Sequence, residues 1–89
     1  MLSRTINIHG KEVTFEQPED SKGVLLVGQY NPEGKAFTEN VKTLSSLLID
    51  LIQERINSPH TLPDGAAVLE AAKLEILKGQ MLAVKSMYI

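Results

Sequence analysis

Two side chains in the middle of the chain, Tyr30 and Lys42, have the chemistry that a small nucleotide site needs. An aromatic ring can stack on a base, and a lysine ammonium can pair with a phosphate or lay its stem along the same base. Tyr30 stands at the entrance to a predicted helix, and Lys42 lies inside that helix on its polar side. Composition alone favours a simpler interpretation, in which Tyr30 is a half-buried packing residue and Lys42 is a solvated charge.

Catalytic residues are harder to find. The chain has no cysteine, neither His9 nor His60 falls in a nucleophile or metal motif, and no Gly-rich phosphate loop is present. Asp50 and Glu54 could present paired carboxylates, but such a pair on a charged helix flank is usually a solvated face. We therefore expect no enzyme, no bound metal and no cofactor.

Length and charge restrict the partners. A chain of 89 residues makes one domain, residues 1–89, whose core is marginal by itself, and without cysteine it has no disulfides to stabilise it. Self-association is then the favoured way to stabilise the fold. The net charge of -2 gives no general attraction to long nucleic acid, although it does not exclude a small anionic ligand in a pocket that contains a few lysines.

The sequence contains no signal for export or membrane insertion. No apolar segment follows Met1-Leu2-Ser3-Arg4, and no apolar run approaches the length of a membrane span. We expect a soluble protein of the cytoplasm.

The first 29 residues favour β-structure. Alternating apolar residues over residues 5–16 predict a hairpin with a Gly10-Lys11 turn, which would place Ile8 opposite Val13 and Ile6 opposite Phe15. The apolar run Val24–Val27 resembles a buried third strand.

Residues 30–89 favour helices. Apolar side chains step by three and four through Phe37, Val41, Leu44, Leu48 and Leu51, which predicts one helix with a buried apolar stripe. Asn57–His60 ends it, and Thr61 with Asp64 resembles a capping box for a second helix.

The second helix, Pro63–Ile89, is apolar on almost every side, so it needs neighbours, and Gly79 within it predicts close approach of another helix. The fold class is therefore mainly α, an antiparallel two-helix hairpin with a small N-terminal β-hairpin or sheet, assembled as a compact homo-oligomer.

Two segments, taken in order, are similar to a known family. The first is the Tyr30 turn followed by Asn40-Val41-Lys42 and the Leu44, Leu47, Leu48 run. The second is the closing segment Lys78-Gly79-Gln80-Met81-Leu82-Ala83-Val84-Lys85-Ser86-Met87. Together, over residues 29–88, they resemble the small phage anti-CBASS proteins, which are sponges that capture cyclic nucleotides of bacterial immunity. The chain departs from that pattern in a shorter loop before Lys42 and in Ala67-Val68, where relatives have Arg-Trp.

The resemblance implies a function and a set of site residues. Members of the family are compact hexamers that bind cyclic dinucleotides, such as cyclic GMP-AMP, between subunits without cleaving them. Carried over, Tyr30 would stack on a base, Lys42 would contact the phosphodiester or the opposite base, and Asn40 is a weaker candidate. Some members also hold cyclic trinucleotides through basic residues of the last helix. Here only Lys73 or Lys78 could form that second site, because Ala67 replaces the arginine.

A different class of function explains part of the same sequence. A small helical, oligomeric adaptor that binds another protein through its apolar C-terminal helix accounts for the composition of Pro63–Ile89 equally well. It gives no role to Tyr30 and Lys42. The oligomeric state separates the two hypotheses, since a sponge would be a closed higher oligomer.

Overall fold

The computed structural model of the chain describes residues 1–28 and 36–89. Two antiparallel strands, β1 (Leu2–Ile8) and β2 (Lys11–Gln17), precede three helices in the described residues. The helices are α1 (Lys22–Val27), α2 (Ala36–Ile56) and α3 (Pro63–Lys85), and a 3-10 turn, Ser86–Tyr88, follows the last of them. The prediction of a mainly helical chain with a small N-terminal hairpin is confirmed.

The turn of the hairpin lies one residue earlier than predicted. His9 and Gly10 both have positive φ, 55° and 71°, which is typical of a two-residue type I′ turn. Ile8 therefore pairs with Lys11 and Ile6 with Val13, so the predicted register of Ile8 opposite Val13 is wrong. Because the register differs by two residues, an even number, the apolar side chains still share one face of the sheet.

The run Val24–Val27 forms most of the short helix α1, so the prediction of a buried third strand is wrong. The Ser21 hydroxyl accepts a hydrogen bond from the Val24 N–H at 3.2 Å, which caps the first turn. Gly28, with φ of 84°, ends the helix. Val24 and Val27 are buried and Leu25 is exposed, and this three-residue spacing is helical.

α1 lies directly against α2 because Gly23 has no side chain. A Cβ atom at this position would overlap the carbonyl oxygen of Ser46 in α2. At the same point the Gly23 N–H donates to Asp50 Oδ1 at 2.6 Å. Close packing was predicted at Gly79, but a Cβ there meets no atom of another element within 4 Å among the described residues. The close-packed glycine within the subunit is therefore Gly23, and packing of another subunit at Gly79 stays a prediction.

α2 and α3 run in opposite directions, as predicted. Gln53 near the end of α2 bonds Lys73 of α3, whereas Lys42 near the start of α2 shares a pocket with Val84 near the end of α3. The predicted capping box is wrong, because Thr61 donates its hydroxyl to the Arg55 carbonyl and the cap residue, Leu62, makes no side-chain cap bond. No helix in the described part of the chain is long and apolar enough to cross a membrane.

The buried face of α2 is polar, and the apolar stripe predicted to be buried is exposed. α2 buries Thr38, Thr43, Ser46 and Ile49. By contrast Phe37, Leu44 and Leu48 are each about 45% exposed, and Leu51 is 62% exposed. The inward face is polar because it meets the polar groups of β2 and α1: Gln17 Nε2 donates to Ser46 Oγ at 3.0 Å and to Asp50 Oδ2 at 2.7 Å. The helical period of the stripe was predicted correctly, but the expected burial of the stripe within the subunit was not found.

Substitution of Gly23 by alanine tests the close approach of α1 to α2. The added methyl group would meet backbone rather than a flexible side chain, so α1 must move away. We expect Gly23→Ala to lower the free energy of unfolding by about 1 to 3 kcal/mol, measured by urea titration.

The matched control is Gly65→Ala, where the new Cβ would lie 3.8 Å from Thr61 Cγ2, an ordinary contact. Its stability should be unchanged or higher by up to about 1 kcal/mol, because alanine favours the helix. Equal stability of the two variants would contradict the packing described here.

Candidate functional site

A cleft of about 410 Å³ lies where α1, α2 and the end of α3 meet. Its volume falls within the range of about 300 to 1,000 Å³ that is usual for small-ligand sites. The residues that line it are Leu26, Val27, Lys42, Gln80, Met81, Val84 and Lys85. We refer to it as the Lys42 pocket.

Three elements position these side chains. α1 supplies Leu26 and Val27, and it stands there because Gly23 lets it approach α2. On α3, Gln80 and Val84 are one turn apart, as are Met81 and Lys85, so both pairs lie on the side of the helix that borders the pocket. The wall built by α1 is therefore as necessary to the pocket as the two long helices.

The lining combines positive charge with apolar surface. Lys42 and Lys85 supply two ammonium groups, and the four apolar residues of the lining supply surface on which a flat ring can lie. Gln80 adds a buried amide. None of the described residues that line the pocket carries a carboxylate, hydroxyl or imidazole. Chemically, the arrangement can hold an anion that also carries an apolar ring.

The two principal residues predicted from the sequence have different outcomes. Lys42 is half-buried and lines the pocket. Tyr30 lies outside the described residues, although Val27 of the pocket wall is only three positions before it in the chain. Stacking of Tyr30 on a base beside Lys42 stays a prediction.

Asn40 points away from Lys42 and toward the hairpin. Its Nδ2 donates to the Asn7 carbonyl oxygen at 3.0 Å, and its Oδ1 accepts from the Asn7 N–H at 3.2 Å. Two residues apart on a helix, Asn40 and Lys42 project about 200° from each other. Asn40 therefore holds β1 on α2, and the structure does not bring it together with Lys42.

Lys73 and Lys78 are also kept apart. Lys73 is 4% exposed, and its Nζ donates to Gln53 Oε1 at 2.6 Å and pairs with Glu70 Oε2 at 3.0 Å. Lys78 is exposed, with its Nζ 3.7 Å from Glu75 Oε1. Lys73 borders a second cleft, of about 610 Å³, between α1 and α3. Because its ammonium already has two partners, the described contacts do not assemble a site from both lysines.

Gln80 and Lys85 are the pocket residues whose role sequence reasoning missed. Both occur in the segment that carries the family resemblance, but neither was given a role. The available signal was that Gln80 is polar within a stretch of apolar residues on the closing helix, and that Lys85 follows it by five positions. Only the position of α1 shows that both border the same cleft as Lys42.

Arg4 is a buried cation that lies close to the C-terminal end of α1. Arg4 of β1 is 5% exposed, and its Nη2 donates to the Gly28 carbonyl oxygen at 3.5 Å. Burial lowers the pKa of Arg4 from its ordinary value, and the nearby Glu39 carboxylate partly opposes that shift. Since the ordinary value is far above neutral, Arg4 stays charged and adds a cation beneath the hairpin. The described residues hold no cluster of three or more histidine, cysteine or acidic side chains that could bind a metal ion.

Substitution of Asn40 separates a structural role from a ligand role. Asn40→Ala removes both hydrogen bonds to Asn7, so we expect the free energy of unfolding to fall by about 1 kcal/mol in a denaturant titration. Lys42→Ala, at the pocket wall on the other side of the helix, should change stability by less than about 0.5 kcal/mol. The opposite order of effects would show that the hairpin is held by other contacts.

Comparisons with known proteins found no relative of this chain. A scan against protein-family models, a search of curated proteins and a search of solved structures each return no match for this chain.

Proposed function

We propose that this protein binds and sequesters a cyclic dinucleotide immune messenger, such as cyclic GMP-AMP, without cleaving it. The observation that supports this most is the position of Lys42, which lies with Lys85 in a cleft otherwise lined by Gln80 and apolar side chains. Such a protein would act for a phage in the cytoplasm of its host and would block CBASS signalling.

The ligand chemistry matches the lining. A cyclic dinucleotide has two phosphodiesters, each with one negative charge, and two flat bases. Two lysines at one pocket can offset that charge, while Leu26 and Met81 offer surface to a base. The resemblance adds Tyr30 as the stacking residue. Because the described lining lacks a nucleophile or a general base, capture rather than hydrolysis is the simpler function.

Self-association belongs to the same proposal. The chain exposes 6019 Å², whereas a compact monomer of 9.8 kDa exposes about 5,200 Å². The excess is surface that an interface with another copy could bury. The exposed leucines of α2 provide an apolar surface for it. We propose a homo-oligomer, with the hexamer of the resembling family as the expected size.

A second nucleotide site has less support. The resemblance offers Lys73 and Lys78 for a cyclic trinucleotide, but Lys73 is buried and paired with Glu70, and Lys78 lies on an exposed flank. The proposal is therefore limited to cyclic dinucleotides at the Lys42 pocket.

One observation favours a second candidate function, the helical adaptor. Val68, Leu74, Met81 and Leu82 of α3 are between 58% and 69% exposed, which gives this helix an apolar surface that another protein could cover. An adaptor of this kind would be a monomer or dimer in isolation and would not bind cyclic dinucleotides.

Nucleotide binding is tested by calorimetric titration of cyclic GMP-AMP. We expect the parent protein to bind it and Lys42→Ala to bind at least about tenfold more weakly, because a charged contact is lost. Lys11→Ala, which removes an exposed lysine of the hairpin, is the matched control and should bind as the parent does.

The fate of the ligand completes that test. Heat or proteolysis of the complex should release intact cyclic GMP-AMP. Recovery of linear or hydrolysed product would replace sequestration with phosphodiesterase activity, and full affinity in a folded Lys42→Ala protein would remove Lys42 from the site.

Assembly is tested by light scattering coupled to gel filtration. We expect a mass several times 9.8 kDa for the parent protein and a lower mass for Leu51→Glu, which places charge on the exposed stripe of α2. Circular dichroism should show that the variant remains helical, since Leu51 is 62% exposed in the subunit. Glu54→Gln, an exposed polar change one turn away, should keep the parent mass. A monomeric parent would favour the adaptor.

A further inference from the structure

Gln80 has an unusual environment for a polar side chain. It is 7% exposed, and its Oε1 has no hydrogen-bond donor among the described residues. It also lines the Lys42 pocket, together with Met81 of α3 and Leu26 of α1. The lining of the cleft thus includes a side chain whose buried amide oxygen has no donor among the described residues.

We infer that Gln80 recognises the base of the bound nucleotide. Its Oε1 accepts a hydrogen bond from the amino group of a purine whose phosphates lie toward Lys42 and Lys85. This inference rests on the proposed function, since it names a specificity-determining residue of the same pocket.

Gln80 has an energetic cost in the free protein. A buried acceptor without a donor destabilises the fold, so a glutamine here is a poor choice for packing alone. Methionine has nearly the same length and no acceptor, and the neighbouring positions of α3 are already Met81, Leu82, Ala83 and Val84. A ligand that donates a hydrogen bond to this oxygen would remove the destabilisation, and it would do so only in the complex.

The chemistry of the acceptor selects the donor. An amide oxygen attracts the exocyclic amine of adenine or guanine, whereas a base with a carbonyl or a hydrogen at that position leaves the oxygen unsatisfied. Recognition by a buried polar group is sharp, because the analogue that lacks the donor leaves that group without a partner. Thr38 and Thr43 also have buried hydroxyls without partners among the described residues, but neither lines this pocket.

The test compares ligands with the unmodified protein first. Cyclic GMP-AMP is titrated beside two analogues, one with hydrogen in place of the adenine 6-amino group and one with hydrogen in place of the guanine 2-amino group. We expect one replacement to weaken binding by about tenfold, the loss of one hydrogen bond to a buried group. If neither replacement matters, the inference is wrong. If the protein binds none of the three, the proposed function fails, and the inference fails with it.

The variants then assign the effect to Gln80. Gln80→Met should bind all three ligands with the weaker affinity, while its thermal midpoint without ligand should equal or exceed that of the parent. Gln80→Glu keeps an acceptor and should keep the preference for the amine. A Gln80→Met protein that discriminates as the parent does would overturn the inference. If Gln80→Met does not fold, glutamine is required for packing, the stability argument is wrong, and the inference is overturned.

Discussion

The Asp50 carboxylate is the contact on which the arrangement of the subunit depends. One oxygen accepts the Gly23 N–H of α1 and the other accepts the side-chain amide of Gln17 at the end of β2. A partly buried carboxylate is stable when its oxygens are hydrogen-bonded, so Asp50 joins three elements at one place. Because α1 forms one wall of the Lys42 pocket, the same contact determines where that wall stands.

Much of the helical architecture could be predicted from the sequence, because long amphipathic segments have a clear period. The limits of α2 and the start of α3 lie within a residue of the expected ones. Short elements could not be predicted as well. Val24–Val27 is an apolar run that fits strand or helix equally, and its state depends on Ser21 and on the distant Asp50. The hairpin register depends on His9, a residue that seldom adopts positive φ.

The candidate site was predictable only in part, for a physical reason. Lys42 was named as a site residue through the family resemblance, whereas Gln80 and Lys85 become pocket residues because they share the cleft with Leu26 and Val27 of α1. Asn40 was grouped with Lys42 through the Asn-Val-Lys step of the resemblance, yet two positions on a helix place side chains on opposite sides. Likewise the apolar stripe of α2 has the helical period that was predicted. The sequence alone does not show whether residues of the same subunit or of another would cover it.

The hydrogen bonds between Asn40 and Asn7 affect how copies of the chain can meet. At Asn7 the Asn40 amide makes the two hydrogen bonds that a neighbouring strand would make with β1, so an added strand would pair more readily at the outer edge of β2. If two β2 strands paired antiparallel with Thr14 opposite Thr14, Glu12 of each copy would lie opposite Glu16 of the other. This like-charge repulsion opposes the joining of two hairpins into a continuous sheet.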